Sequence, residues 1–208
     1  MLLEREREVV VRHAQRLAPD GLAVGTAGNV SARAGDLVAI TPSAVPYDEL
    51  HPGLVCVVGL DGIAVDAPAP PSTELPMHLA AYRATGAGAV VHTHSPYATV
   101  LSTVVEELPP IHYLIATLGG PVRVAPYADP GSDALADALT AALDARSGAI
   151  LGNHGAVTVG DDLPAAYSRA LTLEWLAATF WRASALGTPR VLTTDELDRA
   201  AGLMARYG

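Results

Sequence analysis

The stretch Ala89-Val90-Val91-His92-Thr93-His94 places an uninterrupted apolar run directly before two histidines. Such a short run, rich in β-branched residues, predicts a buried strand over Ala89–Thr93. Around it the pattern of the chain changes: tight hairpins dominate up to Val65, whereas helices alternate with strands from Leu75 onwards. Together these patterns predict an α/β fold, a single three-layer α/β/α domain spanning residues 1–208 with a mixed central β-sheet.

One helix and two hairpins are expected in the first part of the chain. Apolar residues at helical spacing predict a helix that ends at Ala18, before Pro19-Asp20-Gly21. The dipeptide Asp61-Gly62 is a strong hairpin signal between two apolar runs. The predicted strands of this part are Val30–Arg33, Leu37–Thr41, Leu54–Leu60 and Ile63–Val65.

The second part of the chain is predicted to alternate. Its predicted helices are Leu75–Thr85, Pro96–Val105, Ala134–Ala145, a long helix with an apolar stripe from Leu163 through Leu171 to Trp181, and a last helix from about Thr194 to Tyr207. Its predicted strands, besides the central one, are Val122–Ala125, Ala149–Leu151 and Ala156–Val159.

The charged residues exclude several kinds of chemistry. The chain has 208 residues, of which 22 are acidic and 13 basic, and every basic residue is arginine. Without a lysine amine it cannot form a Schiff base with a ketone or anchor pyridoxal phosphate, and it lacks the lysine of a phosphate-loop NTPase. The net charge of −9 without a basic run argues against nucleic acid as a partner. We expect no membrane span and a cytoplasmic location, because no apolar run is long enough and the first residues are charged rather than signal-like.

Three of the seven histidines stand where they could bind one metal ion. Alternate residues of a strand point to the same face, so the imidazoles of His92 and His94 can converge. His154 lies in a turn between two predicted strands and could reach the same point. Three neutral imidazoles leave one coordination position open, as in catalytic zinc sites. The spacing alone leaves a second interpretation open, in which these histidines bond only to backbone groups.

Glu74 begins a predicted helix directly after Pro71-Ser72-Thr73. A carboxylate at this position, with Ser72 as the N-cap, is favoured by the helix dipole, and this structural role is one interpretation. A general base close to the metal is the other. His78, four residues further along the helix, indicates an ordinary i,i+4 pair with Glu74.

Three short segments have the composition of a phosphate site that contains no lysine. They offer small hydroxyl or amide side chains together with exposed backbone N–H groups. Each alone would be an ordinary turn, but beside a candidate three-histidine site they indicate a small phosphorylated substrate. The segments are Gly25-Thr26-Ala27-Gly28-Asn29, Thr41-Pro42-Ser43-Ala44 and Ser72-Thr73.

Taken together, these motifs resemble those of the class II aldolase/adducin family. The matching stretches occur in the family's order, and the resemblance covers essentially the whole chain. They are Gly25-Thr26-Ala27-Gly28-Asn29-Val30-Ser31, Ile40-Thr41-Pro42-Ser43, Pro71-Ser72-Thr73-Glu74, Ala89-Val90-Val91-His92-Thr93-His94, Ile111-His112-Tyr113, Pro126-Tyr127-Ala128 and Asn153-His154-Gly155.

The resemblance implies a zinc-dependent aldolase with one Zn²⁺ per subunit, assembled as a homotetramer with its sites at subunit interfaces. The implied reaction is the reversible cleavage of L-fuculose 1-phosphate, or a close ketose 1-phosphate, to dihydroxyacetone phosphate and L-lactaldehyde through a metal-stabilised enediolate. The composition agrees, because breaking a carbon–carbon bond beside a ketone needs an imine or a metal to take up the charge, and a chain without lysine leaves the metal.

The resemblance also implies roles for individual residues. The implied zinc ligands are His92, His94 and His154. Glu74 would be the acid/base residue. The residues implied to hold the substrate phosphate are Thr26, Asn29, Ser43, Ala44, Ser72 and Thr73. Tyr113 would reach into the neighbouring subunit's site and protonate the aldehyde-side oxygen, and Tyr207 would help to close the pocket.

Two segments depart from the family's pattern, and other activities of the family are alternatives. Ala44 stands where these enzymes usually have glycine, and Asp129-Pro130 replace a threonine and an aromatic residue at the aldehyde end. A ribulose-5-phosphate 4-epimerase is the main rival, although such enzymes usually carry aspartate in place of Glu74. A methylthioribulose-phosphate dehydratase is a further rival. The non-enzyme alternative is an adducin-like interaction module, which loses the metal histidines.

Overall fold

The computed structural model describes residues 1–206, and Tyr207 lies outside these described residues. The described strands form one nine-stranded sheet. They are β1 (Asn29–Ala34), β2 (Leu37–Ile40), β3 (Cys56–Gly59), β4 (Ala64–Asp66), β5 (Ala89–Thr93), β6 (Glu107–Leu108), β7 (Val122–Ala125), β8 (Gly148–Leu151) and β9 (Gly155–Gly160). The helices are α1 (Glu4–Leu17), α2 (Leu75–Thr85), α3 (Pro96–Leu101), α4 (Asp133–Ala142), α5 (Leu163–Leu186) and α6 (Thr194–Met204), with a 3₁₀ helix at Tyr113–Leu118.

The sheet is mixed, as predicted, and β5 lies near its centre. The strand order is β4-β3-β2-β1-β5-β9-β8-β7-β6, and every neighbouring pair is antiparallel except the parallel pair β7 and β8. In this register Asn29 pairs with His92, and Thr93 pairs with Ala156. The end of β5 therefore lies beside the start of β1 and beside the turn that leads into β9.

Helices cover both faces of the sheet, which confirms the three-layer α/β/α arrangement. Side chains alternate between the faces of a strand, and β5 follows this rule. Val90 packs in a core cluster with α2 and α4, whereas Ala89 and Val91 pack in a second cluster with α1 and α5. All five residues of β5 are buried, so the strand that carries the first candidate histidine is held from both sides.

The structure differs from the sequence expectation after Leu101. The helix predicted to reach Val105 ends at Leu101, because the β-branched stretch that follows is a weak helix former and the chain must reach β6 to pair with β7. The buried apolar stripe predicted on α5 was also wrong at Trp181, because this residue is 47% exposed. Leu171, another residue of the predicted stripe, is only half-buried. Trp181 lies towards the end of α5 and contacts Tyr97, with ring centroids 5.7 Å apart.

Of the helices in the described part of the chain, not one combines the length and the apolar composition that a membrane span requires.

Candidate metal centre and phosphate cavity

Three imidazoles meet at the end of β5. His92 lies near the end of the strand, His94 directly follows it, and His154 stands in the turn between β8 and β9. The ring centroids of each pair are 4.8 Å apart, and the interplanar angles lie between 71° and 73°. The three rings therefore form a nearly three-fold array around one point.

The residues that flank His154 explain how it reaches β5. A Cβ atom at Gly155 would lie 2.1 Å from the carbonyl oxygen of Thr93, so the close approach of the turn to β5 requires glycine. Asn153 has a φ of 53°, in the left-handed region that asparagine tolerates better than most residues. The Asn-His-Gly order thus bends the backbone so that the imidazole of His154 points at the other two.

The donor set fits a divalent metal ion. The Nδ1 atom of His92 donates to the carbonyl oxygen of Ala156 at 3.0 Å, which leaves Nε2 to face the centre as the atom that would bind an ion; this Nε2 lies 3.0 Å from Nε2 of His94. In a tetrahedral zinc site with bonds of about 2.0–2.1 Å, neighbouring ligand atoms are about 3.3 Å apart. Burial, and then the charges of His92 and His154, lower the pKa of His94 to about 4, so it is neutral, as a ligand must be.

Glu74 completes the cluster. Its Oε2 lies 3.1 Å from Nε2 of His92 and its Oε1 lies 3.2 Å from Nε2 of His154. Glu74, His92, His94 and His154 each offer a ligand atom, all within 4.8 Å of one another, so the four could hold one ion. Burial alone would raise the pKa of Glu74, but the imidazoles of His154 and His92 beside its oxygens, together with the hydrogen bond from Asn29, outweigh it and hold the pKa far below its usual range. The carboxyl group is therefore ionised.

The backbone of Glu74 differs from the predicted cap. Glu74 itself, rather than Ser72, is the N-cap of α2, and its N–H group donates to Oγ of Ser72 at 3.2 Å. This places the carboxylate just outside the first helical turn, where it turns away from solvent towards the imidazoles. His78 also departs from the predicted pair, since its ring bonds to Asn29 and Ser31 rather than to Glu74.

A cavity of about 360 Å³ opens on the metal centre. Three segments that are far apart in the sequence line it together with Glu74, His94, His154 and Pro130. All six residues that the resemblance assigned to the phosphate lie on this lining, namely Thr26, Asn29, Ser43, Ala44, Ser72 and Thr73. Of these, Ala44 has a φ of 57°, the left-handed conformation that favours the glycine usual at this position. The methyl group of Ala44 is exposed, so it does not prevent this backbone conformation.

The aldehyde-end segment and the two tyrosines take different positions. Pro130 lines the cavity, whereas Asp129 accepts a hydrogen bond from the exposed Tyr127 at 3.1 Å. Tyr113 stands at the start of the 3₁₀ helix, is 47% exposed and packs on the ring of His112. Among the described residues that line the cavity, Tyr113 is absent, so it does not serve the site of its own chain in this structure.

Two residues support the site in ways that the sequence did not predict: Tyr47 was not named at all, and His78 was assigned the wrong partner. The phenol oxygen of Tyr47 lies 3.3, 3.0 and 2.8 Å from the carbonyl oxygens of Thr26, Ala27 and Gly28, so one buried side chain gathers the glycine-rich loop. The second is His78, which is completely buried behind Asn29. Tyr47 carries no local signal, because its role depends on the loop folding back on it. The i,i+4 spacing drew attention to His78 but indicated the wrong partner.

Comparison with known proteins gives consistent matches over the whole chain. The model of the class II aldolase and adducin N-terminal domain family matches residues 8–181. The chain is 38% identical over 211 residues to a 5-deoxy-D-ribulose 1-phosphate aldolase of Bacillus thuringiensis serovar kurstaki, covering 100% of this chain and 99% of the relative. It is 36% identical to a 5-methylthioribulose-1-phosphate/5-deoxyribulose-1-phosphate aldolase of Rhodospirillum rubrum, covering 97% of this chain and 92% of the relative. A solved L-fuculose 1-phosphate aldolase superposes with a TM-score of 0.94 at 32% identity, covering 97% of this chain and 96% of that one.

Proposed function

The chain belongs to the class II aldolase and adducin family and is an aldolase, and from that premise we propose that it cleaves a ketose 1-phosphate to dihydroxyacetone phosphate and a short aldehyde with the help of one Zn²⁺ per subunit. The observation that carries the proposal is the cluster of three imidazoles and one carboxylate at the floor of a cavity with hydroxyl-rich walls. A lyase with this donor set needs no lysine, and the chain has none.

His92, His94 and His154 would hold the ion. When bound, it would act as a Lewis acid that takes up the negative charge developing beside the ketone as the carbon–carbon bond breaks. Three neutral nitrogen ligands suit zinc, and they leave a coordination position for the substrate. The hydroxyl groups of Ser43, Ser72 and neighbouring residues, with backbone N–H groups, would bind the phosphate.

Glu74 is the residue we assign to proton transfer at carbon. In the direction of synthesis its ionised carboxylate takes the proton from the carbon beside the ketone of dihydroxyacetone phosphate. Tyr113 of a neighbouring subunit would then give a proton to the aldehyde oxygen, and cleavage runs the same steps in reverse. The exposed position of Tyr113 supports this assignment, because an exposed residue outside its own cavity is free to enter another subunit's cavity. A homotetramer with sites at the interfaces is therefore part of the proposal.

Two substrates are candidates. L-Fuculose 1-phosphate, expected from the motifs, would yield L-lactaldehyde, and the structural similarity to an L-fuculose 1-phosphate aldolase supports it. 5-Deoxy-D-ribulose 1-phosphate would yield acetaldehyde, and the full-length relative at 38% identity supports it. Both share the dihydroxyacetone phosphate half, so the metal centre serves either. The choice depends on the aldehyde end of the cavity, where Pro130 lies.

The test is a product assay with zinc-loaded protein on L-fuculose 1-phosphate, 5-deoxy-D-ribulose 1-phosphate and ribulose 5-phosphate. Dihydroxyacetone phosphate and the aldehyde are measured for cleavage, and the C4 epimer is measured for epimerisation. We expect cleavage of at least one ketose 1-phosphate, its loss on chelation and its return with added zinc. Glu74→Gln should retain the metal and lower kcat roughly 100- to 10,000-fold.

Three results would contradict the proposal. They are epimerisation of ribulose 5-phosphate without cleavage of either 1-phosphate, cleavage that survives complete removal of divalent metal, and full activity of Glu74→Gln.

A further inference from the structure

A buried chain of hydrogen bonds runs from the core to Glu74. The ring of His78 bridges two side chains. Nε2 of His78 contacts Oδ1 of Asn29, and Nδ1 of His78 lies 2.7 Å from Oγ of Ser31. Oγ of Ser31 is also 2.7 Å from the hydroxyl of Tyr82. At the other end, Nδ2 of Asn29 donates to Oε2 of Glu74 at 2.8 Å. Each of these five residues is at least 93% buried.

The carboxylate at one end fixes the direction of every bond in this chain. An ionised carboxylate only accepts, so the amide nitrogen of Asn29 faces Glu74 and the amide oxygen faces His78. That oxygen only accepts, so Nε2 of His78 carries the hydrogen. The ring is neutral, because burial, and then the charge of His92, lower its pKa to about 3. Its Nδ1 therefore accepts from Ser31.

The Asn29 amide is held from both ends, by the Glu74 carboxylate that accepts from its nitrogen and by the His78 donor at its oxygen. The two ends of a carboxamide have nearly the same shape, so packing does not distinguish them and these two hydrogen bonds must. If Nε2–H of His78 were missing, the buried amide oxygen would have no donor, and the amide would shift or rotate and bring that oxygen towards the carboxylate of Glu74. The two oxygens would repel each other, and the carboxylate would leave its position between His92 and His154.

We propose that His78 is a positioning residue: it holds the Asn29 amide in the one orientation that donates to Glu74 and so fixes the proton-carrying carboxylate at the metal centre. The inference rests on the proposed function in one respect, namely that Glu74 transfers the proton. Displacement of such a group by about 1 Å lowers turnover on the order of 100-fold. Loss of the donor at residue 78 should therefore reduce kcat roughly 10- to 100-fold.

The test compares His78→Gln with His78→Met. Glutamine places an amide N–H near the position of Nε2 and can restore the bond to Asn29, whereas methionine has a similar length and no donor. His13→Gln is the control, since His13 lies on α1, where its Nδ1 bonds to the carbonyl of Val9 and its ring packs edge-on against Tyr167, away from Glu74. The measurements are kcat, KM, zinc content and the midpoint of thermal unfolding.

We expect His78→Met to lose kcat 10- to 100-fold with normal zinc content, and His78→Gln to stay within about fivefold of the parent chain. A purely structural role predicts the same loss in both variants, in step with their unfolding midpoints, and that result would overturn the proposal. Equal retention of kcat in both would overturn it as well.

Two measurements remain decisive if a variant does not fold or if the parent chain cleaves no ketose phosphate. In ¹⁵N-histidine-labelled, metal-free parent protein, long-range ¹H–¹⁵N spectra should show the hydrogen of His78 on Nε2, and a hydrogen on Nδ1 refutes the proposal. A crystal structure of metal-free His78→Met should show Asn29 rotated or Glu74 displaced, with neither change in His78→Gln. Absence of cleavage by the parent chain alone counts against the proposed function, not against this arrangement.

Discussion

Replacing Ala44 with glycine should stabilise this protein. Ala44 has a φ of 57°, and an L-residue with a Cβ atom adopts this left-handed conformation at a cost of about 1–2 kcal/mol. Glycine adopts it without that cost, but its unfolded chain is freer, which offsets about 0.4–1 kcal/mol. The side chain is exposed, so little packing is lost. The free energy of unfolding should rise by about 0.5–1 kcal/mol.

Urea unfolding of the metal-free protein, followed by circular dichroism, measures this change directly. A thermal midpoint higher by about 1–4 °C should accompany it in a chain of this length. Two control variants test whether the backbone conformation causes this change. Ala145 also has a left-handed backbone, with a φ of 53°, so Ala145→Gly should raise the free energy of unfolding by a similar amount. Ala201→Gly, at an exposed position inside α6, should instead lose up to about 1 kcal/mol.

The result that would refute the reasoning is a loss of stability in Ala44→Gly while Ala145→Gly gains it. The backbone at residue 44 would then not be left-handed in solution. Binding gives a second check, because Ala44 lines the cavity. Since glycine preserves the same backbone conformation, KM for the ketose phosphate should stay within about twofold; a large increase would mean that the methyl group itself contacts the substrate.

Three further predictions concern the site. Tyr47→Phe should raise KM for the substrate several-fold and change kcat little, because the phenol holds the loop at Thr26 and does not contact the reacting carbons. Steady-state kinetics measure both constants, and a loss confined to kcat would contradict this prediction. Tyr113→Phe should lower kcat much more than it weakens inhibition by inorganic phosphate, and equal losses would count against a protonation role. Metal-free protein should lose stability as the pH falls from 6.5 towards 4, because His78, with a pKa of about 3, and His94, with a pKa of about 4, bind protons only after unfolding in that range. His78 alone accounts for about 3 kcal/mol by pH 4, and urea midpoints that do not change with pH would contradict this.

Two elements that depend on local pattern were predicted to the residue. The bounds of α2 and β5, Leu75–Thr85 and Ala89–Thr93, match the expectation residue for residue. A proline near the helix start, a glycine after its end and a run of buried apolar residues define both elements within their own sequence. The two-residue strand β6 was missed, because only its pairing with β7 makes it a strand. The 3₁₀ helix was missed as well, since few local patterns distinguish it from a turn.

The same distinction holds for the candidate site: features fixed by the local sequence were predicted, and features that depend on distant residues were not. The spacing of His92 and His94 predicted convergence, because alternate side chains of an extended chain point to the same face and His94 directly follows the strand that carries His92. Tyr47 and His78 act on residues 19 to 49 positions away, so no local rule names their partners. The wrong cap at Ser72 has a similar origin, because the orientation of Glu74 is set by its hydrogen bond with Asn29 and its contacts with the imidazoles, and not by the helix alone.

The charges around the cavity link the absence of lysine to the metal. Of the described residues that line it, Glu74 is the charged one, and no arginine is among them. A substrate phosphate would therefore add negative charge to a cavity that already holds a carboxylate of strongly lowered pKa. Hydroxyl and N–H dipoles solvate such an anion but do not neutralise it. A divalent ion on His92, His94 and His154 would offset the carboxylate. The same ion that the proposed chemistry needs as an electron sink would thus also make the binding of an anionic sugar electrostatically favourable.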